Sequence, residues 1–203
     1  MSNGSPREIN RAVAVLRGGG LVAFPTETYY GLAVDPFNEE ALNRLFMVKR
    51  RPRMKPILVL ISDISQLDQL VTHIPPPYPR LIKLFWPGPL TLVFPAKSNL
   101  SPQLTGGTET IGIRWSPNPL ANDLIQAFGG PITATSANRS GENAAVSSEE
   151  IVTIFGDDVD LVLGDDRTPG GIGSTLVGMQ HGELCCIRRG WVSYEEILRK
   201  LTD

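Results

Sequence analysis

Apolar residues along the chain recur at two spacings, one typical of helices and the other typical of strands. Near the start, Ile9, Val13 and Leu16 follow one another every three or four residues, which places them on one face of an α-helix. A Ser-Pro pair at residues 5–6 precedes them and Gly18 follows them, a common way for a helix to begin and end. The pattern therefore predicts a first helix that buries this apolar face.

Later segments repeat both patterns. Helical spacing predicts helices from about residue 38, near residues 67–70, at 81–85, around 120–128, from Ser147 with a capping box at Glu150, and after Ser193 with Glu196. Short apolar runs predict strands at residues 21–24, 57–61, 90–94, 111–115 and 132–135, near residues 161, 176 and 185, with a hairpin turn at His181. The last strands follow one another too closely for helical crossovers, so we predict an α/β fold with a mixed sheet.

Composition narrows the class of protein. The 203 residues are 41% hydrophobic with a formal net charge of -2, which suits a single soluble domain. The longest apolar runs, such as residues 57–61, are far too short to span a membrane, and residues 1–10 contain no apolar signal core. Cys185 and Cys186 are adjacent, so they predict neither a disulfide framework nor a metal site. We expect a cytoplasmic protein.

A basic segment precedes the strand at residues 57–61. Residues 44–55 contain six Lys or Arg side chains and no acid. A solvated helix end accounts for the first of them, but Pro52 and Pro56 disfavour helix in the later part. An extended segment would place Arg51, Arg53 and Lys55 on one side, where three cations favour a bound phosphate. Both interpretations, surface charge and phosphate site, stay open at this point.

Two hydroxyl-rich segments follow predicted strands. "PTETYYGL" at residues 25–32 is more polar than a turn requires, and it predicts a ligand-binding loop. "TATSANRSG" at residues 133–141 has a similar composition, although a structural turn is the favoured interpretation of this segment in isolation. The chain has no Walker-type phosphate loop and no Gly-x-Ser-x-Gly elbow. His73 and His181 lack the partner spacing of a metal site or a catalytic triad.

These segments together resemble a known family. "PTETYYGL", "KRRPRMKP", "WPGPLTLV", "TIGIR", "TSANRSG", "GSTLV" and "IRRG" occur in this order and spacing, which is similar to the YrdC-type domain of threonylcarbamoyl-AMP synthases. The resemblance covers residues 7–191 and implies one domain over residues 1–203. It also implies an open, twisted mixed sheet with flanking helices and a large concave, positively lined surface. The family's Lys-x-Arg…Ser-x-Asn signature corresponds here to Lys49, Arg51, Ser136 and Asn138.

The resemblance implies a reaction in which L-threonine, bicarbonate and ATP, the last with Mg²⁺, give threonylcarbamoyl-AMP and pyrophosphate. A tRNA threonylcarbamoyltransferase machinery would then modify an adenosine next to the tRNA anticodon. The implied catalytic residues are Lys49 and Arg51. The implied ATP contacts are Arg51, Lys55, Ser136, Asn138 and Arg188. The implied threonine contacts are Thr28, Thr110, Arg114 and Ser174. No metal ligand is implied among the protein side chains.

Two alternatives stay open beside the synthase. The first is an RNA-binding relative of the YrdC type without synthase activity, because the concave surface implied by the resemblance suits double-stranded RNA. One dense basic cluster and a pI of about 5.7 predict weak, salt-sensitive binding of tRNA or double-stranded RNA. The second is a carbamoyl-transfer unit, which would need partner domains that this chain lacks.

Overall fold

The computed structural model describes residues 5–202. Within that range the α-helices are α1 (Pro6–Arg17), α2 (Glu39–Lys49), α3 (Tyr78–Phe85), α4 (Pro102–Thr105), α5 (Pro119–Phe128), α6 (Ser148–Phe155) and α7 (Tyr194–Thr202). The strands are β1 (Val22–Pro25), β2 (Tyr30–Ala33), β3 (Val59–Ile61), β4 (Leu90–Pro95), β5 (Thr110–Trp115), β6 (Ile132–Thr133), β7 (Thr135–Ser136), β8 (Leu161–Val162), β9 (Thr175–Gln180) and β10 (Glu183–Arg188). 3₁₀ helices lie at Ile64–Gln69 and Gly156–Asp158.

The strands form two mixed sheets. One has the order β7-β2-β1-β8 and the other the order β10-β9-β4-β5-β3-β6. The pairs β1–β8, β3–β5 and β4–β9 are parallel and the other pairs are antiparallel. The predicted α/β fold with mixed strand directions and flanking helices is therefore confirmed. The division of the strands between two sheets was not predicted.

The first helix forms as the sequence predicts. The Ser5 hydroxyl accepts a hydrogen bond from the Glu8 N–H at 3.3 Å, and the Glu8 carboxylate accepts one from the Ser5 N–H at 2.8 Å. This reciprocal pair satisfies two donors that a helix start leaves free. Ile9, Val13 and Leu16 are buried and pack in a cluster with α5 and the smaller sheet.

The predicted strand at residues 132–135 is divided between the sheets. β6 pairs with β3 in the larger sheet, whereas β7 pairs with β2 in the smaller one. Between them the Ala134 N–H donates to the Leu58 carbonyl at 2.8 Å. The chain thus crosses from one sheet to the other within four residues, and this crossing carries Ser136 to the space between the sheets.

Two turn and cap predictions have different outcomes. The hairpin turn between β9 and β10 lies at His181 and Gly182, both with positive φ (53° and 83°), as a two-residue turn requires. At α6, the Ser147 hydroxyl accepts from the Glu150 N–H at 3.3 Å as predicted. The Glu150 carboxylate, however, accepts from the Val146 N–H at 2.8 Å. The second half of that capping box is therefore wrong.

The larger core cluster joins residues of both sheets, and the smaller lies under α1 and α5. Across the described residues, no helix has the length and apolar character needed to cross a membrane. The assignment of residues 1–203 to one domain, with a core of about residues 7–191, stays a prediction.

Candidate functional site

A cavity of about 800 Å³ lies between the two sheets. Side chains from β4, β5 and β10 line it on one side, and β2, β7 and the end of α2 line it on the other. All ten residues that the sequence singled out are among its lining residues: Thr28, Lys49, Arg51, Lys55, Thr110, Arg114, Ser136, Asn138, Ser174 and Arg188. The structure therefore brings them together, while their individual roles stay predictions.

The loop after β1 is held by its own hydroxyl groups. The Thr26 hydroxyl donates to the Tyr29 carbonyl at 2.7 Å and accepts from the Thr28 N–H at 3.2 Å. Thr26 thus closes the turn, and the buried Thr28 side chain lines the cavity. The Tyr29 hydroxyl donates to the Gly171 carbonyl at 2.7 Å, which ties the loop to the segment that precedes β9.

Strand alternation brings further hydroxyl groups to the cavity. Thr110 and Arg114 lie on the same face of β5 because they are an even number of residues apart. The Thr110 hydroxyl is 2.8 Å from that of Thr108. The Ser174 hydroxyl is 2.7 Å from that of Thr91 on β4. These pairs fix hydroxyl groups on one wall of the cavity.

Arg114 is buried beside a carboxylate. Its Nη1 donates to Glu27 Oε1, and the Ser116 hydroxyl donates to Glu27 Oε2. Burial lowers the pKa of the Arg114 guanidinium, and the Glu27 carboxylate acts in the opposite direction. The Arg114 Nε is buried without a hydrogen-bond partner among the described residues. Glu27 was not predicted as a site residue, although it stands between the two threonines of the polar loop.

Lys49, the last residue of α2, is 1% exposed. Its Nζ donates to the Ser136 carbonyl, to the Asn138 carbonyl at 2.7 Å and to Asn138 Oδ1 at 3.4 Å. The Ser136 hydroxyl donates to Asn138 Oδ1 at 2.7 Å. Burial, followed by the charges of Arg51 and Lys55, lowers the pKa of Lys49 to about 7. Lys49 therefore joins the helix end to the loop that contains the other half of the predicted signature.

The segment after α2 is a turn, so its predicted extended geometry is wrong. The Lys55 N–H donates to the Pro52 carbonyl at 3.0 Å. The Arg51 guanidinium donates to the Lys55 carbonyl at 3.2 Å and to the Pro56 carbonyl at 2.6 Å, and these bonds curl the chain around it. Arg51 and Lys55 line the cavity, whereas Arg53 lies outside its described lining. Burial lowers the pKa of Arg51.

Arg188, at the end of β10, lies against Ser174. Its guanidinium Nη2 donates to the Ser174 carbonyl at 3.0 Å and to the Ser174 hydroxyl at 3.1 Å. Burial, and then the nearby charge of Arg114, lowers the pKa of Arg188. A Cβ at Gly190 would lie 2.3 Å from the Gly173 carbonyl oxygen, so only glycine permits this close crossing of the two segments.

One further polar group of the cavity was missed by the sequence reasoning. The Ser140 hydroxyl is buried without a hydrogen-bond partner among the described residues, and Ser140 lines the cavity. Its N–H donates to the Lys49 carbonyl at 2.8 Å. The hydroxyl-rich composition of residues 133–141 was the available signal, but a structural turn was the favoured interpretation of the segment in isolation.

The ionisable residues that line the cavity are mostly basic. The basic lining residues are Lys49, Arg51, Lys55, Arg114, Arg188 and Arg189, and the acidic one is Glu142. Arg114 pairs with Glu27, and Arg189 pairs with Glu195 at 3.3 Å in an exposed position. Within residues 5–202, no group of three or more His, Cys, Asp or Glu side chains is arranged to hold a metal ion.

Comparison with known proteins identifies relatives over most of the chain. The family model Sua5_yciO_yrdC, described as "Telomere recombination", matches residues 14–190. A threonylcarbamoyl-AMP synthase of Bacillus subtilis (strain 168) is 38% identical over 191 residues, which are 94% of this chain and 55% of the relative. A threonylcarbamoyl-AMP synthase of Coxiella burnetii (strain RSA 493 / Nine Mile phase I) is 39% identical over 159 residues, 77% of this chain and 84% of that protein.

A solved structure has the same fold. The crystal structure of P. abyssi Sua5 complexed with L-threonine superposes with a TM-score of 0.91 at 35% sequence identity. The match covers 95% of this chain and 56% of that one. This chain thus spans slightly more than half the length of the Bacillus and Pyrococcus relatives.

Proposed function

The chain belongs to the Sua5/YciO/YrdC family, and from this premise we propose that it is an L-threonylcarbamoyladenylate synthase. In the proposed reaction, L-threonine, bicarbonate and ATP give threonylcarbamoyl-AMP, pyrophosphate and water. The product would serve the modification of an adenosine next to the tRNA anticodon. The relatives named threonylcarbamoyl-AMP synthase support this proposal.

The observation that carries the proposal is the joint lining of one cavity by two kinds of groups. Hydroxyl groups and a buried arginine suit a small zwitterion, whereas a turn that brings Arg51 and Lys55 to the cavity suits a polyphosphate. A volume of about 800 Å³ is large enough for both substrates together. Joining two substrates requires that they be bound side by side.

In the amino-acid half, Arg114 would bind the threonine carboxylate. A guanidinium presents paired N–H donors that match the two oxygens of a carboxylate. Thr28, Thr110 and Ser174 would supply hydroxyl contacts to the ammonium group and the side chain of threonine. The Sua5 crystal structure with L-threonine supports threonine as the amino acid.

In the nucleotide half, Arg51, Lys55 and Arg188 would bind the phosphates of ATP. The guanidinium groups of Arg51 and Arg188 donate to neutral oxygens of the described residues. Neither charge is therefore cancelled by a carboxylate at those contacts. Ser136 and Asn138, braced by Lys49, would contact the nucleotide from the other wall.

The proposed chemistry has two steps. The threonine amine first attacks bicarbonate, so that an N–C bond forms and water leaves. An oxygen of the resulting carbamate then attacks the α-phosphorus of ATP, and the bond from that phosphorus to the bridging oxygen of pyrophosphate breaks. Both steps need alignment and cations where negative charge develops, more than they need a protein nucleophile.

The proposed Mg²⁺ would travel with ATP. Mg²⁺ binds phosphate oxygens together with one or two carboxylates and several waters. The cavity fits that pattern, because Glu142 is the one carboxylate among the lining residues described. The oxygen atoms of the triphosphate and water would therefore supply the other ligands of the ion. When bound, the ion would neutralise charge that develops on the departing pyrophosphate.

The product is a reactive mixed anhydride, so a transferase must consume it. A tRNA threonylcarbamoyltransferase machinery is the proposed partner, in a cytoplasmic setting. Direct binding of tRNA or double-stranded RNA by this chain is proposed to be weak and lost with salt, because a single basic cluster makes few phosphate contacts and each of them is opposed by salt ions.

The test is pyrophosphate release from ATP with each substrate omitted in turn. We expect release to require both L-threonine and bicarbonate. Release that is equal with and without threonine would overturn the proposal, because the amino-acid half would then take no part in the reaction.

A further inference from the structure

The basic side chains of the cavity differ in the groups that surround their charges. Arg51 donates to two backbone carbonyl oxygens, and Arg188 donates to the carbonyl and hydroxyl of Ser174. These neutral acceptors leave both guanidinium groups with their full charge. Arg114 instead contacts the carboxylate of Glu27. The charges of Arg51 and Arg188 are therefore not cancelled by a carboxylate at these contacts, whereas that of Arg114 is cancelled by Glu27.

The geometry of that ion pair leaves part of Arg114 unused. Glu27 contacts Nη1 alone, and its second oxygen accepts from the Ser116 hydroxyl. The Nε is buried without a partner among the described residues, although a buried donor without an acceptor is costly. Nε and Nη2 form the edge of a guanidinium that accommodates a carboxylate side-on. Arg114 thus retains directed hydrogen-bonding capacity after its net charge has been cancelled.

Glu27 is itself held in place. Ser116, its second contact, also accepts from the Asn118 N–H at 3.2 Å. The Asn122 side-chain amide donates to the Ser116 carbonyl at 2.8 Å, so the start of α5 fixes the hydroxyl that fixes the carboxylate. Glu27 is 13% exposed in its side chain and Arg114 5%, and water therefore screens the pair little.

We propose that Glu27 is a positioning residue that determines which ligand binds at Arg114. By cancelling the charge of Arg114 while its Nε keeps no partner among the described residues, Glu27 reserves this guanidinium for the carboxylate of a zwitterionic amino acid. The polyphosphate is then directed to Arg51 and Lys55. This inference rests on the proposed function, because it assigns Arg114 to threonine and the other two cations to ATP.

The physical reason is that a triphosphate and a zwitterionic amino acid are stabilised by different interactions. A triphosphate gains chiefly from net positive charge, whereas a zwitterion gains from matched hydrogen bonds and loses nothing at a neutral pair. Arg114 lies close enough to Arg188 to lower its pKa. Without Glu27, these two guanidinium groups would form a dicationic site that favours phosphate over an amino acid.

The test uses L-threonine and inorganic tripolyphosphate as probes, with binding of each measured by calorimetry in the presence and absence of the other. Wild type is expected to bind both at once. In Glu27→Gln, which keeps the shape and removes the charge, we expect tripolyphosphate to block threonine. Threonine affinity should also fall by about tenfold, because Arg114 loses the charged hydrogen bond that holds its guanidinium in position.

Two further variants separate this role from a structural one. Glu27→Asp keeps the charge but shortens the side chain by one methylene. Threonine should therefore bind more weakly, while tripolyphosphate still does not block it. Asp160→Asn breaks an ion pair with Arg44 outside the cavity and should change neither affinity nor competition. In Glu27→Gln, a fall in threonine affinity that is the same with and without tripolyphosphate would indicate a structural role only. That result would overturn the proposal.

Failure of the inference and failure of the proposed function give different results. Wild-type protein that binds no threonine would overturn the proposed function, and the inference with it. Wild-type protein that binds threonine but loses it to tripolyphosphate would overturn the inference alone. This second measurement needs no variant, so it decides the matter even where Glu27→Gln fails to fold.

Discussion

Lys49 and Arg114 are both almost completely buried at the cavity, with 1% and 4% of their surface exposed, but they are stabilised in different ways. Lys49 donates to three oxygens of Ser136 and Asn138, none of which carries a charge. Arg114 faces the carboxylate of Glu27 and keeps an unpartnered Nε. Burial alone therefore does not distinguish these two cations, whereas their partners do.

The difference indicates what each side chain is available for. An ammonium has three donors, and the loop oxygens around Lys49 match all three. Lys49 thus shapes the loop that presents Ser136 and Asn138 to the cavity. Arg114 has five donors, and Glu27 accepts a single hydrogen bond from them, donated by Nη1. Arg114 is accordingly the buried cation with capacity left for a ligand.

The strongest test of this comparison removes the paired cation. In Arg114→Met, the Glu27 carboxylate stays largely buried with only the Ser116 hydroxyl as a described partner. Leaving one member of a buried ion pair uncompensated typically costs about 3–5 kcal/mol. We expect the free energy of unfolding, measured by urea denaturation at neutral pH, to fall by that amount.

A matched control is the more exposed ion pair of Arg44 and Asp160, whose side chains are 35% and 34% exposed. Arg44→Met should cost about 1 kcal/mol or less, because water screens such pairs. Equal losses in the two variants would show that Glu27 tolerates the loss of its partner, and the comparison would then fail.

The second prediction concerns rate and separates two adjacent arginines. Arg51 donates to the Lys55 and Pro56 carbonyls and lines the cavity, whereas Arg50 caps the C-terminus of α2 in a left-handed conformation and is exposed. Removing a preorganised charge typically costs about a hundredfold in rate, or about 3 kcal/mol. Arg51→Ala should therefore nearly abolish threonine-dependent pyrophosphate release.

Arg50→Ala serves as the control for that measurement. Surface substitutions usually change free energies by no more than about 0.5 kcal/mol, so this variant should retain most of the activity. Steady-state rates are compared for folded protein, as judged by circular dichroism. Similar losses in both variants would mean that the basic segment acts as a diffuse field and that Arg51 has no specific role.

Local patterns of the sequence predicted the elements well. The capped start of α1 and the hairpin turn at His181 follow from residues adjacent in the chain, so their signals are local. The mixed α/β class followed from the spacing of the strands. By contrast, the division of residues 132–136 between two sheets depends on pairing with β3 and β2, which no local pattern specifies.

The candidate site shows the same limit. Alternation predicted that Arg51, Arg53 and Lys55 share a side, but the bonds from the Arg51 guanidinium to two later carbonyls form a turn instead. Glu27 was missed because its partner, Arg114, is 87 residues away in the sequence. Contacts of this kind become visible only when the sheets are assembled.

The last prediction uses pH to test the state of Lys49. Its pKa is lowered from the ordinary value of 10.5 to about 7, chiefly by burial. Between these two values the unfolded chain binds more protons at Lys49 than the folded chain, so the free energy of unfolding rises with pH. The cost of charging Lys49 in the fold is fully present below pH 7 and is relieved as the pH approaches 10.5.

The free energy of unfolding is measured for wild type and Lys49→Met at pH 7 and at pH 9. The difference between the two proteins is then compared at the two pH values, because the titration of other groups cancels in that difference. Since one pKa unit corresponds to about 1.4 kcal/mol, wild type should gain about 2 kcal/mol relative to the variant over this interval. Lys83→Met, at an exposed site in α3, should show no such change. A pH-independent difference between wild type and Lys49→Met would mean that the three oxygens around Lys49 keep its ammonium protonated over the whole interval. Lys49 and Arg114 would then both be permanently charged, and they would differ only in whether a partner carries the opposite charge.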